Sequence, residues 1–423
     1  MAAGGSTARS VPRFLTTHYR ESGTRFLVFP QLRTLSDFAD PVLVYVDTAP
    51  GNIGPGPEDE RMYVVDAIGK RPYFENGVQR TGPPYRGRTS GRVAAADGAG
   101  HFDHIKPVAR TDREFSAAMM YAAIRCTLTV WEHYLGRRVP WYFREDYPRL
   151  EVIPRVASST AYSRPGYIEC GYDDPGRRSG PFAENFDIVS HEVGHMILRE
   201  VVGHPRHPEA VECRAREEAS ADLVAMVALL HFEAAVKHLL DRTHGDLFSA
   251  NVLSRIGELS EKRTVRRAFS DATLQTIAWD PNPDSFRYAL AAPLIAGSFN
   301  ILVLMYQDAL TRRGAIPRSL ARASVDTGRT SPDIQRQFQR HYRDRAPLFT
   351  DALIEARDRF AMLLARAWQR TETFDLYPRV ARTMISVGRE IGGNGLARTV
   401  RDCLSARHIA PAPDAPAAVR ARP

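Results

Sequence analysis

His191, Glu192 and His195 stand in the order His-Glu-x-x-His, a spacing with specific chemical consequences. Residues four apart share one face of a helix, so both imidazoles can converge on a single cation. Glu192 is rotated off that pair but stays near any ion the pair holds, where a carboxylate can deprotonate a water. A catalytic zinc site of this type needs a third protein ligand and one open position, and His₂Glu is a standard set. The third ligand is expected in the run Glu217-Glu218-Ala219-Ser220-Ala221-Asp222. Glu217 and Glu218 compete for the role, but only Glu218 has an acidic residue four positions on. Asp222 is therefore assigned the far N–H of a ligating imidazole, a contact that fixes its tautomer. The alternative three-histidine arrangement requires a glycine and a histidine where the chain has Leu198 and Val201, and it fails.

The pattern around these residues predicts the elements that must carry them. Residues 186–201 read as one helix stopped by Gly203 and Pro205, with Ile188, Val189, Met196 and Ile197 giving it an apolar face. Helical periodicity recurs over 209–240, 247–261, 293–312, 331–343, 346–370 and 374–391. Asp112 can cap a helix through Val130. Residues 25–29, 41–47, 61–67 and 150–153 are β-branched or aromatic runs of strand type, and 158–172 is a further extended stretch. The expected division is a β-rich region 1–103 of unassigned role, an α/β lobe 104–203, a helical lobe 204–409 and a disordered Pro/Ala-rich tail 410–423.

Composition narrows the class. The 423 residues are 43% hydrophobic and 25% charged, ordinary for a soluble globular chain able to bury a large core. No run of eighteen apolar residues and no signal-type h-region is seen, so the expectation is a cytoplasmic protein with no membrane partner. Four cysteines, Cys126, Cys170, Cys213 and Cys403, show no CxxC spacing and suit buried reduced thiols. The net charge of +8 and pI near 9.4 reflect an Arg-rich surface, and with no nucleic-acid motif present a nucleic-acid partner is not expected. His204, His207, His231 and His238 read as loop or packing histidines. The oligomeric state is open.

With the motifs in place, His191-Glu192-x-x-His195 followed by Glu218-x-x-x-Asp222 resembles the gluzincin peptidases, most closely the thermolysin-like group. Asp187-Ile188-Val189-Ser190 is similar to that group's lead-in to its active-site helix. Thr160-Ala161-Tyr162 resembles its edge strand, which binds substrate backbone by strand addition, although Thr160 stands where the family has Asn. The resemblance spans residues 104–310 and is specific only at the zinc motifs. It implies an α+β, two-lobed peptidase fold, one zinc ion, and a peptide or protein substrate. The family stabilises its oxyanion with a Tyr and a His outside these motifs. Ala296-Gly297-Ser298-Phe299-Asn300 resembles the segment after that His, yet no histidine precedes it, and Tyr288 is the nearest candidate oxyanion donor.

The expectation is a zinc metallopeptidase of restricted substrate range with Glu192 as general base. Two alternatives stand beside it: a weakly active or inactive binding protein on the same fold with bound zinc, and a hydrolase of a non-protein amide.

Overall fold

The computed structural model describes residues 11–410 except 34, 76, 109–112, 173–180, 205–210, 250, 261–262, 269 and 328–330. The fold is mixed α+β, largely helical with small sheets. The chain divides into two compact units. The first holds residues 1–201, 224–239 and 256–265; the second holds 202–223, 240–255 and 266–423.

In the first unit, β1 (Thr24–Val28) and β2 (Val42–Val46) pair antiparallel. A four-stranded sheet has the order β3 (Met62–Val64), β6 (Leu150–Val156), β8 (Tyr167–Gly171), β7 (Ala161–Arg164), and a short separate hairpin of β4 (Phe74–Glu75) and β5 (Val78–Gln79) falls between β3 and β6 in the chain. β3, β6 and β8 run parallel, while β7 pairs antiparallel to β8 and forms an edge. Residues 1–103 and 104–201 thus fall in one unit, with β3 and β6 paired in a single sheet. The extended stretch 158–172 is a hairpin that turns at Gly166, whose φ of 85° suits glycine.

Helix α1 (Arg113–Leu135) packs on β1, β6 and α2 (Phe186–Val201) and is buried along nearly its whole length. Asp112, its expected cap, lies outside the described residues. Arg125 on this helix is 5% exposed and pairs with Asp47 and Asp59, so a charge can sit in the core.

The remaining helices differ from expectation in five places. The periodic stretch 209–240 is two helices, α3 (Val211–Leu229) and α4 (Glu233–Thr243), bent by 95°. The carbonyl of His231 at the break accepts a bond from the Leu15 amide at 2.9 Å, a long-range contact that replaces helical pairing. The stretch 247–261 is no α-helix: a 3-10 turn at Val252–Ser254 leads into β9 (Arg255–Ser260), paired with β10 (Arg263–Arg267). Asn251 accepts from the Leu253 amide there, turning the backbone locally instead of continuing a helix.

Helix α5 (Pro283–Arg312) begins ten residues earlier than its apolar pattern suggested and takes Pro293 inside. Asn282 caps it and Pro283 fills the first position, so its true start is polar. α6 (Arg318–Thr327) was not anticipated. α7 (Pro332–Trp368) is kinked at Arg345, just before Pro347, in keeping with the two segments read from sequence. α8 (Tyr377–Ser405) runs past the expected end at 391 through a break at Gly393, where φ is 69°.

The second unit packs α5 against α7 and α8. α5 also qualifies the membrane expectation: an 18-residue window of mean hydropathy 1.8 is long and apolar enough to cross a bilayer. That window is 67% buried inside the protein, as a core helix would be. All four cysteines are free and buried. The tail 411–423 lies outside the described residues.

Candidate metal centre

α2 is fixed at both ends. Asn185 accepts from the amides of Asp187 at 3.1 Å and Ile188 at 3.4 Å, capping the first turn. The carboxylate of Asp187 accepts from Gln31 at 2.5 Å, and Ser190 bonds Thr127 of α1 at 2.8 Å. Val189, Val193, Met196 and Ile197 are fully buried. Near its far end Arg199 donates to the carbonyl of Ser163 in β7 at 3.0 Å. The helix therefore cannot rotate about its axis without breaking contacts on several sides, and its histidine face is set.

On that face the Nε2 atoms of His191 and His195 are 3.0 Å apart with rings perpendicular. Two imidazoles meeting nitrogen to nitrogen can share at most one proton, whereas a cation uses both lone pairs. Two ligands of a tetrahedral zinc at its usual bond length lie roughly 3.4 Å apart, so a small outward shift admits an ion. One ligand atom each from His191, His195 and Glu218 lies within 4.8 Å of the others, a group that could hold a metal ion. The donor set, two imidazoles and one carboxylate, fits zinc chemistry. The three residues are 8%, 6% and 6% exposed, so the group is shielded but not sealed.

Glu192 is 8% exposed. Burial first, and the Glu192 charge second, hold the Cys170 thiol of β8 well above its ordinary range.

Glu218 sits on α3, and the contacts that fix the first half of this helix belong to the second unit. Arg216 donates to the backbone carbonyls of Glu372, Thr373 and Asp375, tying the loop before α8 to α3. Glu212 accepts from the Tyr377 amide at 2.6 Å, and the Tyr377 hydroxyl donates to the Leu290 carbonyl at 2.8 Å. Glu217 lies 3.5 Å from His204, so the competing carboxylate already has a neighbour. Asp222 is fully buried one turn beyond Glu218.

Arg287 was not singled out from sequence. Its Nε lies 3.4 Å from Glu218 Oε1, and it donates to the Tyr288 hydroxyl at 3.1 Å. Burial works against the Arg287 charge, but Glu218, Tyr288 and Asp284 outweigh it and raise its pKa. Tyr288 itself is 39% exposed, and its hydroxyl meets Arg287, the neighbour of the Glu218 carboxylate. The one available clue to Arg287 was its place beside Tyr288.

Thr160 immediately precedes β7, and its carbonyl accepts from the Gly171 amide at 2.9 Å. The alternation of an antiparallel pair then turns the backbone groups of Ala161 and Ser163 to the free edge. The Arg199 contact occupies the Ser163 carbonyl, and the Thr160 hydroxyl donates to the Ala161 carbonyl at 3.1 Å. Tyr162 leans on Phe74 with centroids 6.3 Å apart.

Of the other histidines, His231 is fully buried against Tyr134, and His238 pairs with Asp37. His207 lies outside the described residues. A cavity of about 840 Å³ lined by Lys70, Tyr73, Arg80 and Tyr85 lies in the first unit and contains none of the three ligands.

No family model matches the chain, and no curated protein matches it. Among solved structures it is similar to the precursor of protealysin, a metalloproteinase from Serratia proteamaculans. The identity is 11% and the TM-score 0.47, covering 86% of this chain and 91% of that one. So loose a superposition assigns no activity.

Proposed function

We propose that the chain is a zinc-dependent peptidase of the gluzincin type, with His191, His195 and Glu218 as ligands and Glu192 as general base. The observation that carries the reading is the convergence of two imidazoles and a distant carboxylate, 23 residues beyond His195 in sequence, to within 4.8 Å. Zinc bound there would polarise an amide carbonyl and lower the pKa of a coordinated water.

The chain's own residues supply the rest. Glu192 accepts a proton from the attacking water on its carboxylate and returns it to the departing amine nitrogen. The outward backbone groups of Ala161 can align an extended peptide along the edge of β7. Tyr288, with its hydroxyl oxygen already accepting from Arg287, is the candidate donor to the developing oxyanion. The resemblance seen in the zinc motifs of the sequence points the same way.

The test is cleavage of a mixed peptide library by the purified zinc-loaded protein. Reproducible cleavage that a chelator stops and added zinc restores is expected. Zinc binding with no cleavage of any library member would overturn the peptidase assignment and favour the binding-protein alternative.

A further inference from the structure

Arg287 belongs to no motif, yet it is a cation that meets a proposed metal ligand. It lies on the second turn of α5, which Asn282 caps through the amides of Asp284 at 3.0 Å and Ser285 at 3.1 Å. Its side chain is 20% exposed and Glu218's is 8%. The Nε atom approaches Glu218 Oε1 at 3.4 Å, while Nη2 lies 3.4 Å from Asp284 and donates to Tyr288 at 3.1 Å. The guanidinium thus makes one hydrogen bond, to Tyr288, and ion-pair approaches to Glu218 and Asp284, on a helix whose start is pinned.

A glutamate can bind a cation through one oxygen or through both. A guanidinium engaged with one oxygen competes for it and leaves the other to ligate. It also offsets part of the negative charge that the adjacent Glu217 and Glu218 bring to one turn of α3. An ordinary ion pair would stabilise the fold without altering how the carboxylate meets an ion.

We infer that Arg287 is a positioning residue: it holds Glu218 as a one-oxygen ligand and so keeps a coordination position open for water and substrate. The inference rests on the metal reading above.

The experiment replaces zinc by cobalt(II) in the wild-type protein and in Arg287→Ala, Arg287→Met and Arg287→Lys, and records the visible d–d absorption. Zinc affinity is measured in parallel by competition with a chromophoric chelator, and metal-free thermal unfolding reports folding. The wild type is expected to give the intense bands of four-coordinate cobalt. Arg287→Ala should give the weaker bands of higher coordination as the second Glu218 oxygen enters, with zinc affinity falling about 10- to 100-fold. Arg287→Lys should restore part of both, and Arg287→Met, which keeps the stem, replaces alanine if the smaller side chain prevents folding. A cobalt spectrum and zinc affinity equal to wild type in a folded Ala or Met variant would overturn the inference alone. Failure of the wild type to take either metal would overturn both it and the metal reading.

Discussion

Glu192→Gln is the substitution that separates chemistry from structure most cleanly. It removes one negative charge from the middle of α2 while keeping the side chain's volume. Glu192 is 8% exposed and, among the described residues, its carboxylate enters no hydrogen bond or ion pair, so its replacement leaves no buried partner stranded. The expected change in folding stability is no more than about 1 kcal/mol. The Cys170 thiol loses a nearby negative charge, which lowers its pKa somewhat, but burial is the larger influence and keeps it protonated. Catalysis should respond very differently. A positioned general base contributes about a hundredfold to ten-thousandfold. At about 1.36 kcal/mol per decade, that is roughly 2.7–5.5 kcal/mol of barrier. The assay is initial rates on a peptide taken from the library screen, with zinc content and circular dichroism measured on the same sample. A variant that binds one zinc, folds normally and retains more than about a tenth of wild-type kcat would refute the assignment of the base.

Other perturbations probe the supports of the site. Ala161→Pro removes an amide turned to the free edge of β7, so folding should survive while KM rises about three- to tenfold, the loss of one bond worth roughly 1 kcal/mol; unchanged KM would remove β7 from substrate binding. Arg216→Ala breaks three bonds to the loop before α8 and should cost about 2–4 kcal/mol in chemical denaturation, with new proteolytic nicking near residues 372–376. Asp246 is 1% exposed and accepts from Ser324, yet burial raises its carboxyl above the ordinary 3.8 against that bond. A raised carboxyl contributes stability below its unfolded value and loses it as pH rises through the folded one, so ionised Asp246 is a cost at neutral pH. Asp246→Asn should therefore raise the thermal midpoint at pH 7, with the gain shrinking as pH falls toward about 4, and a gain independent of pH would contradict the account.

What the sequence made legible follows from how local the signal is. The bounds of α2 were readable because its start is set by neighbouring residues and its stop by Gly203, whose φ is 98° and whose hydrogen faces the Thr373 hydroxyl so closely that a Cβ would collide at 2.2 Å. The outer strands β1 and β2 were readable from β-branched runs. The break between α3 and α4 was not, because the residue that takes the freed carbonyl is Leu15, more than two hundred positions away. The early start of α5 was hidden by Pro293, which reads as a first-turn proline but lies in the helix interior. β9 lies where helical periodicity had seemed to continue to residue 261, and apolar spacing alone did not separate strand from helix there. At the site, the candidate ligands followed from spacing on two helices. Arg287 did not, since its approach to Glu218 joins two helices 69 positions apart in sequence, which no local pattern records.

The central claim is that one ion is held by His191, His195 and Glu218 together. Its most direct test is metal analysis of the purified chain after zinc loading and exhaustive dialysis, comparing wild type with Glu218→Ala and His195→Ala. One zinc per wild-type chain, lost from each variant while the metal-free proteins keep their circular dichroism, is the predicted result. Zinc retained at wild-type affinity by Glu218→Ala, or a wild-type chain that retains none, would contradict it.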